Sequence, residues 1–252
     1  MPAAYDSYDY PNYWKNRDYE HQSEVLAIKK LLTKIPELNK ILEIGAGFGR
    51  LLTTYKFRAK KVFLTDPSAK LISKAMRKYR RLNGIEFVQS SLQNLENKKG
   101  LSNFDLVLMV RVLHHIEDID QAFTIINKLL CKRGYFILEF PNKNNLKASI
   151  RNIIHGDITY PISIFPIDIR SKYNKRKGTL PFMNYHPDQI LGKLKDNNFE
   201  IIEIRSVSNI RSTFLKKLIP LHTLIDLEKL FQLPFAKVYF GPSFFVLARK
   251  KG

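Results

Sequence analysis

Apolar and polar positions alternate along this chain with two periods, and the two periods take turns. Apolar positions at helical spacing over residues 19–32 (Val25, Ile28, Leu31 and Leu32) predict a helix that stops before Pro36. A short apolar run then enters a glycine-rich stretch over 41–51, and residues 51–55 return to a helix-compatible pattern. Residues 61–66 predict a second strand and 69–80 a helix dense in Lys and Arg. Further strands are predicted over 85–88, 103–110 and 135–140, with a helix over 120–130 before the last of them. Toward the end, 187–194 suits a short helix, while 199–204 and 244–248 read as strands. Regular alternation of strand and helix up to residue 142 predicts an α/β fold with a doubly wound, mostly parallel sheet.

Candidate chemistry gathers where strands end. In Glu43-Ile44-Gly45-Ala46-Gly47-Phe48-Gly49 the glycines recur every second residue behind an acid. A dinucleotide-binding turn needs its third glycine at position 50, which is Arg50. Asp66 closes the second strand about twenty residues on, where a carboxylate can accept hydrogen bonds from both hydroxyls of a ribose. Capping of the helix that follows Pro67 and Ser68 is the structural alternative for that acid.

The E-x-G-x-G-x-G run resembles motif I of the class I S-adenosylmethionine (SAM)-dependent methyltransferases. The run F-D-L-V-x-x-x-x-V-L-H-H-I-x-D, from Phe104 to Asp118, resembles motif IV of the small-molecule and lipid branch of that family, and GYFILEFPN at 134–142 is similar to its fifth strand. The resemblance covers roughly residues 20–142, 187–207 and 240–250. It implies a Rossmann-like sheet of seven strands that closes in a terminal antiparallel hairpin, with SAM as cofactor. The cofactor residues it implies are Glu43, Gly45, Ala46, Gly47, Gly49, Asp66, Pro67, Ser91, Leu92 and Met109, with Arg17 or Tyr13 closing over the methionine end. Ser91 stands where the family commonly has an adenine-binding Asp, so it brings a hydroxyl and no charge.

Methyl transfer to a hydroxyl needs a base. His114 and His115 follow the fourth strand, and adjacent positions diverge, so one of the two is expected to face the acceptor; helix packing is the alternative role for both. His186 is a further candidate base. The single cysteine and the lack of a third ligand near the paired histidines predict no metal site.

The chain reads as one methyltransferase domain over 1–252. It has a tyrosine-rich arm over 1–18, without regular structure because of Pro2 and Pro11, and two insertions. Residues 143–186 are basic and loop-rich and are expected to form a lid over the acceptor. Residues 208–240 carry a broad apolar helical face (Leu221, Leu224, Ile225, Leu227 and Leu230), which suits a lid, a membrane surface, a dimer contact or a packed hairpin.

Charge bounds the partners. A net charge of +19, from 42 Lys and Arg against 23 Asp and Glu, fits an anionic partner or a solvated basic surface. No apolar run reaches the length of a bilayer span, the N-terminus has neither the basic start nor the apolar core of a secretory signal, and one cysteine suits a reducing compartment. A cytoplasmic protein, peripheral at most to a membrane, is expected. The reading is methyl transfer to a small-molecule or lipid-like acceptor, at oxygen. RNA methylation and a non-catalytic SAM-binding role stand as alternatives, and the oligomeric state is left open.

Overall fold

The computed structural model describes residues 10–252; the expectations for Tyr5, Tyr8 and the rest of 1–9 lie outside the described residues. Contrary to the expectation of an irregular arm, residues Tyr10–Tyr13 form one helical turn, α1. Pro11 sits in the first turn, where its missing N–H is no loss. Helix α2 (Asp18–Leu32) follows, with Asp18 and Glu20 in its first turn and Ala27, Ile28, Leu31 and Leu32 buried.

Strand β1 (Leu38–Ile44) leads through the glycine loop to α3 (Leu52–Tyr55), and β2 (Ala59–Asp66) to α4 (Ala69–Tyr79). Strand β3 (Ile85–Gln89) leads to α5 (Leu92–Leu95), and β4 (Phe104–Met109) to α6 (Ile119–Leu129). After β5 (Leu130–Pro141) the chain forms α7 (Leu146–Ile154), β6 (Ile167–Asp168), α8 (Lys172–Arg176), β7 (Met183–Asn184) and α9 (Pro187–Asp196). It ends with β8 (Phe199–Val207), α10 (Thr213–Leu218), α11 (Leu221–Lys237) and β9 (Ser243–Lys250). Among the described residues, seven strands form one sheet in the order β3-β2-β1-β4-β5-β9-β8, and β6 and β7 make a separate ribbon. β9 runs antiparallel to both β5 and β8, and the other pairings in the large sheet are parallel.

Strand alternation divides the core into two layers. Leu42, Ile44, Val107 and Met109 face α6 and α9; Ile41, Val62, Leu106 and Leu108 face α2 and α3. Glu43 takes an inward position on the second face and is buried there.

Strand order reverses between β1, which continues to β2 on one side, and β4 on the other. Ligands in open α/β sheets bind at such a point, beyond the carboxyl ends of the strands. Ser243 pairs with both Pro141 and Val207, so residues 142–186 and 208–242 leave the sheet at that same edge. The first segment is less loop-like than its prolines suggest, since α7 and the β6–β7 ribbon lie within it.

Helix α11 corrects the expected apolar face. Its buried positions are Leu224, Glu228, Gln232 and Ala236, while Leu221 and Leu230 are exposed. Glu228 accepts hydrogen bonds from Tyr19 Oη at 2.5 Å and from the amides of Ser208 and Asn209 at 2.8 and 3.0 Å. Gln232 Nε2 donates to the Ser23 carbonyl at 3.0 Å. Polar side chains thus fasten this helix beside Leu224, and Leu221, Leu230 and Leu233 are left exposed.

Candidate active site

The turn after β1 is built for close approach. Gly45 has φ +70°, and a Cβ there would lie 2.2 Å from Val112 Cγ2, so the glycine loop and the loop after β4 touch at this point. At Gly47, φ is +56°, and a Cβ would meet the Tyr10 ring at 3.5 Å and Leu71 Cδ1 at 3.9 Å, both of which line the cavity. Gly49 faces away from the cavity, where its carbonyl accepts from Tyr79 Oη at 2.7 Å. Asp66 ties the turn to the next strand: its Oδ2 accepts from the Gly47 amide and its Oδ1 from the Ser68 amide, both at 2.8 Å. Ser68 itself caps α4 by accepting from the Leu71 amide.

These loops enclose a cavity of about 300 Å³. Of the cofactor residues expected from the sequence, Gly45, Gly47, Asp66, Pro67, Ser91 and Leu92 line it. Ala46, Gly49, Glu43, Met109 and Arg17 do not. Met109 is fully buried beneath the site, and the Arg17 guanidinium lies 4.1 Å from the centre of the Tyr13 ring. Glu43 accepts a hydrogen bond from Tyr55 Oη behind the turn, and burial lifts its pKa to about 7. Ser91 sits at the N-cap of α5 without bonding the helix through its hydroxyl.

Nine lining residues escaped the sequence reading, among them Tyr10, Ser90, Arg111 and Leu180. Tyr10 brings the arm onto the glycine loop, with its ring edge-on to Phe48 at 6.0 Å. Arg111 has a left-handed backbone (φ +58°), and its amide donates to Glu139 Oε2 at 2.7 Å. Its guanidinium pairs with Glu24 Oε1 at 2.7 Å, while Arg50 takes Glu24 Oε2 at 2.5 Å. Burial works to raise the Glu24 pKa, and Arg111 and Arg50 more than offset it, so the carboxyl is held below its ordinary value. Both guanidinium groups also lie against Trp14, at 3.6 Å for Arg50 and 4.7 Å for Arg111. Two cations therefore share one carboxylate at this end of the cavity. Arg50, which in the sequence served only to break the dinucleotide spacing, is part of that pair. The one sequence signal for this arrangement was the placing of Arg111 just after β4; its partner Glu24 is 87 residues away.

The histidines separate as their adjacency predicted. His115 lines the cavity, and His114 packs behind it between His115 and Phe182, with ring centres 4.0 and 4.2 Å apart. His115 Nδ1 is 2.6 Å from the Pro181 carbonyl. Burial lowers the His115 pKa, partly countered by that contact, and lowers that of His114 much further. His186 lies outside the cavity. It caps α9, with Nδ1 accepting from the Asp188 amide at 3.2 Å and Nε2 3.2 Å from the Pro161 carbonyl.

A seven-stranded sheet with one reversed strand, and a cavity between a glycine turn and an acid at its switch point, defines an open α/β protein with its ligand site beyond the strand ends. Residues 42–136 match the family described as "Methyltransferase domain". The ubiquinone biosynthesis O-methyltransferase of Rickettsia bellii is 24% identical over 207 residues, spanning 77% of this chain and 79% of that one. A SAM-dependent methyltransferase structure from Thermotoga maritima aligns over 98% of this chain and 99% of its own, with TM-score 0.66 and 18% identity. Magnesium protoporphyrin IX methyltransferase from Synechocystis PCC 6803, solved with bound SAM, aligns over 98% and 93%, with TM-score 0.58 and 17% identity. Residues 42–136 thus form a methyltransferase domain, the fold around them is that of the SAM-dependent methyltransferases, and the cofactor is SAM. No helix among the described residues is long and apolar enough to cross a membrane.

Proposed function

We propose that this enzyme methylates a hydroxyl group on a small, lipid-like acceptor, with His115 as general base. The observation that carries this reading is the position of His115, on the cavity wall with Nδ1 against the Pro181 carbonyl. A neutral ring held this way donates from Nδ1 and carries its lone pair on Nε2, the form that accepts a proton from a hydroxyl. Burial lowers its pKa, so the neutral form prevails at pH 7. Val112, Ile116 and Leu180 beside it give the wall an apolar character that suits a lipid-like acceptor. The named role of the Rickettsia relative in O-methylation favours oxygen over nitrogen.

The cavity residues fit the cofactor. Gly47 adds no side chain to the wall, and Asp66 lines it with a carboxylate that can accept from ribose hydroxyls besides the Gly47 and Ser68 amides. Ser91 and Leu92 offer a hydroxyl and an apolar surface for adenine. Arg111, sharing Glu24 with a second arginine, leaves a surplus of positive charge that suits the methionine carboxylate. When bound, SAM supplies an electrophilic methyl on a sulfonium. The chain supplies position and a water-poor wall, which can contribute roughly 7–11 kcal/mol of the barrier.

The test is formation of demethylated cofactor with a panel of phenols, prenylated quinols and matched amines. Faster turnover of the amines than of the hydroxyl acceptors would overturn the assignment to oxygen.

A further inference from the structure

A second concavity, of about 710 Å³, lies between α7, residues 209–215 and α11, and it shares no lining residue with the SAM cavity. Ile150 and Ile154 of α7 line it together with Phe231, Phe235 and Phe240, where Phe231 stacks on Phe235 at 4.8 Å and Phe240 meets Phe235 tilted at 4.2 Å. Helix α7 is amphipathic yet buries none of its residues, so its apolar side opens on this groove. Ile154 is 75% exposed, and in the same two segments, 142–186 and 208–242, Ile158, Ile162, Phe165 and Phe214 are each more than 70% exposed. An apolar surface of this size on an otherwise well-packed fold marks a place of contact.

Its charge is one-sided. Lys147, Arg151 and Arg211 line the groove and no carboxylate does. Among the described residues, none of the three has an ion pair. Arg211 is held by Asn145 Oδ1 at 3.0 Å, a neutral partner, and burial lowers its pKa. A solvent-reached guanidinium without a counter-charge beside an apolar trough suits a ligand with an anionic head and a hydrocarbon tail.

We propose that this groove seats an acyl chain of an anionic phospholipid at a bilayer surface, its phosphate meeting Arg151 and Arg211 while the exposed isoleucines and phenylalanines enter the interface. Both chain segments that build the groove leave the sheet at the edge where the SAM cavity opens, so docking here brings that edge to the membrane. The inference does not depend on which acceptor is methylated or on the role of His115. A folded nucleic acid is disfavoured as the occupant, because the trough offers phenyl and isoleucine walls too deep in apolar character for a phosphate backbone.

The experiment is flotation of the full chain with vesicles of phosphatidylcholine alone and of phosphatidylcholine mixed with phosphatidylglycerol. The expected result is partition onto the mixed vesicles. It should fall roughly fivefold in Arg151→Gln and about tenfold in Ile154→Ser. Both positions are on the surface, and unchanged SAM binding by calorimetry in each variant establishes that the fold is intact. Equal partition onto both kinds of vesicle, or variants that float like the parent, would overturn the proposal. So would tight binding of soluble glycerophosphate that Ile154→Ser leaves untouched, which would reduce the groove to an anion site. Self-association without lipid that is lost in Ile154→Ser would assign the groove to a second copy, and an RNA gel shift lost in both variants would assign it to nucleic acid; either result displaces the phospholipid.

Discussion

The amide of Gly47 donates to Asp66 Oδ2 at 2.8 Å, so the glycine turn after β1 and the acid closing β2 form one rigid unit. Asp66 also accepts from Ser68 at the head of α4. The carboxylate proposed to bind ribose is therefore also the one that supports the turn before α4, so the two roles need not exclude each other. Asp66→Asn retains one acceptor oxygen and forfeits a charge-assisted bond. SAM affinity should drop by about 1.5–3 kcal/mol, read by calorimetry, and thermal stability should fall less.

Gly45 tolerates no side chain. Gly45→Ala places a Cβ 2.2 Å from Val112 at a left-handed φ and should destabilise the fold by about 2–4 kcal/mol in denaturant unfolding. Adding Val112→Ala should recover the steric part and leave the backbone part, about 1–2 kcal/mol.

Glu24 holds two guanidinium groups that no other carboxylate among the described ion pairs reaches. Glu24→Gln strands both and should cost about 3–5 kcal/mol of stability. Because the folded pKa of Glu24 is lowered, its contribution is present above the ordinary carboxylate value and is lost as the pH falls through the folded one. Unfolding measured from pH 7 downward should show an acid-side loss that Glu24→Gln lacks.

Glu43 acts in the opposite sense. Burial raises its pKa from 4.5 to about 7, so the neutral form is favoured in the folded state. Its stabilising contribution is full below pH 4.5 and is lost as the pH rises through 7. Glu43→Gln keeps an acceptor for Tyr55 and never ionises. It should match the parent near pH 4 and exceed its stability at pH 8 by an amount on the order of 3 kcal/mol. Chemical unfolding at several pH values decides this.

For His115, kcat with a hydroxyl acceptor should fall on the acid side with an apparent pKa below 6.5, the ordinary histidine value, since burial lowers it. His115→Gln should reduce kcat by roughly 10²–10⁴ and remove that acid limb while SAM affinity stays unchanged. His186→Gln, at a helix cap outside the cavity, should lower stability by about 1 kcal/mol and leave the shape of the pH profile unchanged.

The sequence by itself determined the chain order of the seven strands of the large sheet, the glycine turn and the acid of β2. Each is written in residues close together in the chain: a period of two or of 3.6, a spacing of glycines, a carboxylate at a strand end. The cofactor was implied by the resemblance that these local motifs carry. What only the tertiary structure decided are meetings between distant segments. Glu24 with Arg50 and Arg111, Tyr10 over Gly47, and Pro181 against His115 join positions between 26 and 87 residues apart. The polar anchors Glu228 and Gln232 were unreadable for the same reason, since a buried polar side chain looks exposed until its partners, here Tyr19 and Ser23, are brought to it. Local pattern sets which face of an element is buried. It carries no record of which remote groups will satisfy the charges placed there.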